Sequence, residues 1–325
     1  MELSAPEPPE SAEEFLPEEA DSFGEGLWNL LQAASETIAP SLTEASRVCL
    51  RVFAAVLIAG LVSQFSSAKA VELAGVAAVA ALLLEPSKSL IELGIETVLD
   101  LQSYGKLLLP VMASALAAQG GVTSSAALYV GTALLDAVLS AAVTAVMIPM
   151  VWMYLALAMA HASVGEPLLG RLRDLLRWAM EWAMKLTLYI FTGYMAVTGV
   201  VSGTADAAAG KAARIAISGA VPVVGGILSD ATDAVLLAAS SLGSGAGVWG
   251  ILTVLAVFCA PALRIGIQYL LLKATAAMGE TLGGLRCASL IGDFATAMGL
   301  LMALVSTQTT LLLISALCFL RGVGG

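Results

Sequence analysis

Long apolar runs follow one another along most of the chain, separated by short polar or Gly- and Pro-containing stretches. A helix needs about 20 predominantly apolar residues to cross a bilayer. Runs that approach or exceed this length lie at 48–65, 70–84, 125–161, 178–201, 247–272 and 297–320. The third run is long enough for a pair of helices kinked at Pro149, and shorter runs at 107–118 and 215–228 are interrupted by Pro and Gly. The pattern predicts an all-α, polytopic membrane protein with about six to eight spans.

Two segments of different character precede these runs. Residues 1–26 are rich in acid and Pro, which predicts a disordered tail. Residues 27–46 place apolar side chains at helical spacing, which predicts an amphipathic helix lying on the membrane or on the protein. Residues 47–325 form the predicted membrane domain. No cleavable signal peptide is expected, because Met1 is followed by acid and Pro.

The composition agrees with a membrane protein and narrows its partners. Apolar residues make up 59% of the 325 residues, charged residues only 12%, and the mean hydropathy is +0.91. The net charge of −10 arises mainly from the tail, where residues 1–25 hold nine acids and no base. The remainder is nearly neutral, so it has no basic face for a nucleic acid, and membrane lipid is the expected surrounding.

Basic residues predict the orientation. Arg171, Arg173 and Arg177 crowd the stretch after 161, and Lys273 and Arg286 flank the stretch after 272. Short loops rich in Lys and Arg stay in the cytoplasm. We therefore expect both loops inside and the N-terminal tail on the extracytoplasmic side.

The residues that carry enzymatic chemistry are sparse. His161 is the only histidine, so neither a His-based metal site nor a Ser-His-Asp triad is expected. The cysteines are scattered in apolar runs, which favours buried free thiols: Cys49, Cys259, Cys287 and Cys318. A G-x-G-x-x-G stretch at 245–250 lacks the preceding strand and later acid of a dinucleotide site. No enzyme, metal or cofactor is predicted.

The order of landmarks predicts a parallel internal duplication. Leu109-Pro110-Val111-Met112 recurs as Val221-Pro222-Val223-Val224 at an offset of 112, and Pro149 recurs as Pro261 at the same offset. The loop Gly165-Glu166 recurs as Gly279-Glu280 at an offset of 114. The predicted units are about 70–182 and 183–296, each with a Pro/Gly-broken hairpin, followed by a final span at about 297–320. Similar membrane hairpins without common ancestry are the alternative.

The densest polar motif is the segment 221–233. Pro222 disfavours a continuous helix, Gly225 and Gly226 permit a sharp bend, and Ser229 is placed to cap a new helix. Asp230 and Asp233 then share one face of that helix. A polar path or a partner contact and a capped helix at the membrane edge are equally compatible with this motif. Nearby Asp206 and Lys211 belong to a polar segment that is more typical of a solvated face.

Ionisable residues within apolar runs are costly in a bilayer and mark functional candidates. Five are present: Asp136, Glu181, Lys185, Arg264 and Asp293. Glu181 and Lys185 are spaced i, i+4 and are expected to neutralise each other on one helix. Asp136 and Arg264 have no local partner, so we expect an interhelical pair or a water-lined path.

The stretch from Gly199 through Ser241 resembles the stage III sporulation protein AE family of endospore-forming bacteria. The resemblance is carried by Ser202-Gly203 with Asp206 and Lys211, and by Pro222 through Gly226 and Ser229-Asp230-Ala231 with Asp233. The Gly247-to-Gly250 stretch and Pro261 continue it, and the order of spans agrees over about 45–325.

The resemblance implies a multi-pass component of the mother-cell membrane around the forespore. It implies a subunit of the channel that joins mother cell and forespore and supports late forespore gene expression. The implied partners are the other membrane proteins of the stage III sporulation A operon and, indirectly, stage II sporulation protein Q. We expect a permease-like, non-enzymatic subunit; the alternative is an autonomous secondary transporter of a small solute that uses Asp136 or Arg264 as its charge.

Overall fold

A computed structural model describes residues 6–13, 23–65, 69–118, 122–197, 245–281 and 285–323. These ranges contain helices and no strand; the helices are α1 (Glu10–Glu13), α2 (Phe23–Phe65), α3 (Lys69–Ala118), α4 (Val122–Val164), α5 (Pro167–Val197), α6 (Gly245–Thr281) and α7 (Leu285–Val323). Within the same ranges, 5 helices are long and apolar enough to cross a membrane, over Gly24–Val62, Lys69–Ser114, Gly131–Val164, Trp249–Thr281 and Arg286–Ala316. The all-α membrane prediction is confirmed, and the exact number of spans stays a prediction.

Several predicted breaks lie inside continuous helices. The amphipathic segment 27–46 and the first apolar run form one helix, α2, which continues through Pro40. Helix α3 continues through Pro110, so no hairpin opens there, and α4 is one helix through Pro149 instead of a pair. Pro110 and Pro149 lie on the exposed side of their helices. A membrane helix tolerates Pro because local adjustment satisfies the backbone group that loses its partner.

The hairpin of α6 and α7 forms the centre of the bundle. In these two candidate spans 61% and 67% of the most apolar window is buried, against 22–29% in α2, α3 and α4. Helix α7 contacts α3, α4, α5 and α6. Two glycines of α3 allow a close approach, since a Cβ on Gly94 would lie 2.7 Å from Leu301 of α7 and one on Gly105 would lie 2.9 Å from Leu312. Small residues at such interfaces are typical of membrane helix pairs.

The bundle has two distinct ends. The end of α4 meets the start of α7, because Gly165 lies next to Arg286, and the Nε of Arg286 pairs with Glu72 at the start of α3 (3.0 Å). We call this the basic end. Gly26 near the start of α2 contacts Leu252 near the start of α6, at the opposite end, which we call the far end. Which side of the membrane each end faces stays a prediction.

The described part of the acidic tail packs on the bundle. Ala12 is buried, and the Ser11 hydroxyl donates a hydrogen bond to Oδ2 of Asp100 (2.6 Å). Residues 23–26 belong to α2, and residues 1–5 and 14–22 lie outside the described ranges. The described parts of residues 1–26 are thus packed against or part of the helices, and the predicted disorder of this tail stays a prediction.

The predicted duplication is described in part. Pro149 and Pro261 lie inside α4 and α6, and both helices run to a Gly-Glu pair, Gly165-Glu166 just after α4 and Gly279-Glu280 in the last turn of α6. The second broken hairpin, at Pro222, lies outside the described residues. The duplication stays a prediction.

Candidate functional site

Two groups of polar side chains lie inside the bundle, at different heights along α4 and α7. The group near the basic end, the edge charge cluster, consists of Tyr154, Arg173, Asp174 and Asp293. The group towards the far end, the inner polar cluster, consists of Gln102, Thr132, Asp136, Ser140, Thr144 and Gln308. Both groups involve α4 and α7, so the same two helices contribute to polar clusters at two separate levels.

Arg173 of α5 is the centre of the edge charge cluster. Its Nη1 lies 2.7 Å from Oδ2 of Asp293 on α7, and its Nη2 lies 2.9 Å from Oδ1 of Asp174. The Tyr154 hydroxyl of α4 donates to the other oxygen of Asp293 at 3.4 Å. The side chains of Arg173 and Asp293 are only 16% and 12% exposed. Three helices are therefore joined by a buried ion pair whose polar atoms have partners.

Arg173 remains a cation in this setting. Burial lowers the pKa of its guanidinium. The charges of Asp293 and Asp174 and the hydrogen bond to Asp174 together raise the pKa by more than burial lowers it, so it lies above its ordinary value. A buried pair that keeps both charges ties the helices together only while both partners are present. The arrangement is that of a structural clamp between α5 and α7.

Glu181 pairs with a different residue from the one predicted. Its Oε1 accepts a hydrogen bond from Nε of Arg177 at 2.8 Å, one turn towards the start of α5, so the predicted pair with Lys185 is wrong. Both spacings are i, i+4, and sequence spacing alone does not distinguish them. The pair is half-exposed on the surface of α5.

Hydrogen bonds between neutral side chains connect three helices in the inner polar cluster. Nε2 of Gln102 on α3 donates to Oγ1 of Thr144 (2.6 Å) and to the carbonyl of Ser140 (3.2 Å) on α4. Nε2 of Gln308 on α7 donates to the Ser140 hydroxyl at 2.6 Å. Ser140 therefore lies between two amide side chains that approach it from opposite helices.

The row of α4 residues at the centre of this cluster is incompletely paired. Thr132, Asp136, Ser140 and Thr144 follow one another at intervals of four, so they share one face of α4. Asp136 is 8% exposed. Its Oδ1, Oγ1 of Thr132 and Oε1 of Gln308 are buried without a hydrogen-bond partner. Such atoms are rare in proteins, and each requires an explanation.

The two charged candidates, Asp136 and Arg264, lie in different surroundings. Asp136 is buried inside the bundle, whereas Arg264 is exposed on α6, and no ion pair joins them. The expected interhelical pair was found instead for Asp293, with Arg173. The other candidate residues lie outside the described ranges: Pro222, Gly225, Gly226, Ser229, Asp230, Asp233, Asp206 and Lys211.

Sequence reasoning missed the neutral members of the inner polar cluster. Gln102, Ser140 and Gln308 carry no charge, so a search for ionisable residues in apolar runs passes over them. Two signals were present in the sequence. One is the four-residue spacing from Thr132 to Thr144, and the other is the uninterrupted polar run 306–310 within the last apolar segment.

The described residues contain no group of three or more His, Cys, Asp or Glu side chains able to hold a metal ion. Among the described side chains Cys49 and Cys287 are buried free thiols and Cys259 is a half-buried one. The prediction of buried free thiols is confirmed for Cys49 and Cys287, whereas Cys259 is free but only half-buried.

The fold and the two clusters define a polytopic helical membrane protein with polar side chains held inside its bundle. A profile of the family described as stage III sporulation protein AE matches residues 14–321, nearly the whole chain. The chain therefore belongs to the stage III sporulation protein AE family, as the resemblance in residues 199–241 indicated. It is a stage III sporulation membrane protein.

A curated relative supports the assignment at lower coverage. The chain is 24% identical over 189 residues to the stage III sporulation protein AE of Bacillus subtilis (strain 168). The alignment covers 58% of this chain and 47% of the relative, so it spans about half the length of that protein. No solved structure matches the chain.

Proposed function

We propose that the protein is a permease-like subunit of the sporulation channel that connects the mother cell with the forespore. In this role it lies in the mother-cell membrane around the forespore, with its N-terminal tail on the extracytoplasmic side, and supports late forespore gene expression. Its partners are the other membrane proteins of the stage III sporulation A operon and, through them, stage II sporulation protein Q. Membership of the family and the set of long apolar helices support this proposal.

Arg264 is the observation that favours a subunit of a larger assembly. It lies about midway along the candidate span Trp249–Thr281 and is exposed on the surface of α6. A charged side chain at this depth in contact with lipid costs several kcal/mol, about 3 or more. A partner helix or a water-lined path between subunits removes that cost. We propose that the face of α6 around Arg264 contacts another subunit.

The segment 221–233 is a second candidate for a polar path or a partner contact. Its Pro222, Gly225 and Gly226 favour an unwound backbone, which membranes tolerate only inside protein or beside water. Its acids, Asp230 and Asp233, suit a path for polar species or an ionic contact with a partner. The segment lies outside the described residues, and its role remains a proposal.

Purification from sporulating cells tests the proposed assembly. The tagged protein is extracted in mild detergent, and the size and protein composition of the recovered material are measured. We expect a large assembly that contains other sporulation membrane proteins. Recovery of a lone monomer or dimer would contradict the proposal.

A pair of variants makes the purification specific for the α6 surface. Arg264→Leu is expected to reduce the recovered partners at least tenfold, because the interface loses its buried charge contact, which corresponds to about 1.4 kcal/mol or more. Lys273→Leu removes another exposed cation of α6, close to the basic end, and is the matched control. Equal recovery of partners with both variants would exclude the Arg264 face as the interface.

The inner polar cluster gives some support to a second function. An autonomous secondary transporter needs a charged or polar site between its helices, and Asp136 with its unpaired oxygen is such a site. This alternative requires gradient-driven flux in vesicles that contain the purified protein alone. The same vesicles without flux would leave the channel-subunit role in place.

A further inference from the structure

We infer that Asp136, Thr132, Ser140 and Gln308 form a binding site for a monovalent cation, a proton or Na⁺. The inference goes beyond the proposed channel role, since it assigns a ligand to side chains inside this chain. It rests on the burial of these residues, on the positions of their oxygen atoms and on the charges of the surrounding helices.

The first argument is the uncompensated charge of Asp136. It is 8% exposed, its Oδ1 has no hydrogen-bond partner, and it forms no ion pair with any described residue. An ionised carboxylate in an apolar interior is costly unless a positive charge or a proton accompanies it. Within the described helices no side chain supplies that charge. A bound cation would supply the positive charge that Asp136 requires.

The second argument is the lack of other charges around Asp136. On α4 it is the only charged residue between Val122 and Ala160, and α7 has none between Phe294 and Ala316. On the helices packed against this part of α4, the cations at a similar level are Lys106 of α3 and Lys185 of α5. Lys106 is exposed, Lys185 is half-buried, and neither pairs with Asp136.

The third argument is the chemistry of the neighbouring atoms. Oγ1 of Thr132 and Oε1 of Gln308 are buried without partners, and the hydroxyl of Ser140 accepts a hydrogen bond from the amide of Gln308. Hard cations take carboxylate, amide and hydroxyl oxygens as ligands. Thr132 and Ser140 lie one turn before and one turn after Asp136 on the same face of α4. Gln308 approaches from α7 at the level of Ser140, so buried oxygen atoms of two helices lie within about one turn of the carboxyl group.

The same row extends the polar surface on both sides of Asp136. From Thr132 to Thr144 the polar face of α4 extends over about 18 Å, at 1.5 Å per residue. It begins at the buried Thr132 and ends at Thr144, whose hydroxyl accepts a hydrogen bond from Gln102 of α3. This part of α4 therefore presents a polar side chain at every turn.

Carbodiimide labelling of the purified protein tests the inference. These reagents are membrane-permeable and attack protonated carboxyl groups in apolar surroundings, and mass spectrometry locates the modified residue. The full chain in lipid nanodiscs is labelled at acidic and alkaline pH, in sodium chloride and in choline chloride of equal concentration. We expect modification of Asp136 that decreases as pH rises.

The two possible cations give different results. Protection of Asp136 by sodium but not by choline identifies a Na⁺ site, and an effect of pH without an effect of sodium identifies a proton site. For a Na⁺ site, Ser140→Ala should raise the concentration needed for half-protection about tenfold, because a contact to a charged group is lost. Ser163→Ala, on the same helix but bonded only to the carbonyl of Met159, should not change it.

A second measurement keeps the test decisive if the reagent does not reach the site. The midpoint of thermal unfolding of the same preparation is followed against pH and sodium, for the parent, Asp136→Asn and Asp100→Asn. Asp100 is an acid of α3 that accepts a hydrogen bond from Ser11. We expect a cation-dependent shift of the midpoint in the parent and in Asp100→Asn, and its loss in Asp136→Asn. The inference is wrong if Asp136 stays unlabelled and all three proteins respond alike.

The result is independent of the proposed assembly. Cation binding is measured on the isolated protein, so its absence would leave the channel-subunit role unchanged. Conversely, the protein could purify alone from cells and still bind Na⁺ or a proton at Asp136. That result would support the cation site and contradict the proposed assembly.

Discussion

The edge charge cluster and the inner polar cluster both include side chains of α4 and α7, and they differ in how their polar atoms are paired. In the edge charge cluster Arg173, Asp293 and Asp174 are connected by short ion pairs, and Tyr154 donates to Asp293. In the inner polar cluster the Oδ1 of Asp136 and the Oε1 of Gln308 are buried and unpaired.

This difference indicates different tasks. A fully paired buried network holds helices in one arrangement, whereas a partly paired one costs stability and persists where a ligand or a moving charge needs it. The pairing therefore favours a stabilising role for the edge charge cluster, and it is consistent with the cation binding that we propose for the inner polar cluster.

The largest effect on stability is expected when the edge charge cluster loses one member of its buried ion pair. Asp293→Ala leaves the buried guanidinium of Arg173 with Asp174 alone and should lower the free energy of unfolding by about 3 kcal/mol. The measurement is the midpoint of thermal unfolding in mild detergent. Replacing both partners, with Arg173→Met and Asp293→Leu together, should recover much of the loss because no charge remains buried.

A matched control for this prediction lies on α5. Glu181→Ala breaks the half-exposed pair with Arg177 and should cost about 0.5 kcal/mol or less. If Asp293→Ala were no more harmful than Glu181→Ala, the edge charge cluster would not be a clamp and the comparison would fail.

A smaller effect is expected in the inner polar cluster. Gln308→Leu removes one hydrogen bond between membrane helices, which contributes about 0.6 kcal/mol on average, and it also removes the unpaired Oε1. The unfolding midpoint should therefore be unchanged or slightly raised. Gln102→Leu, which removes two hydrogen bonds and no unpaired atom, should lower it by about 1 kcal/mol. A large loss for Gln308→Leu would show that this cluster also serves mainly stability.

Local patterns predicted much of the fold. The apolar runs correctly predicted long helices, and the Gly-Glu pairs marked the end of α4 and the last turn of α6. The prolines were misleading, because Pro110 and Pro149 act only on their own turn and an exposed position on a membrane helix accommodates them. Whether a helix continues through Pro depends on its packing, which a single sequence does not contain.

The site was predicted less well, for a related reason. Asp136 was identified because a charge in an apolar run is unusual, but its neighbours Ser140 and Gln308 are 168 residues apart in the chain. Their proximity depends on α4 packing against α7. The pair of Arg173 with Asp293, separated by 120 residues, was inaccessible for the same reason. Spacing within one helix was ambiguous even for Glu181, where Arg177 and Lys185 are equally placed.

The division of tasks between the two clusters is tested most directly in sporulating cells. Late forespore gene expression and the amount of this protein in the membrane are measured together, in the natural host, for Gln308→Leu and Asp293→Ala. We predict that Gln308→Leu reduces expression at least tenfold at an unchanged protein level, while Asp293→Ala reduces expression only in proportion to the protein lost. Parental expression with Gln308→Leu, or full-level Asp293→Ala protein without activity, would contradict the assignment.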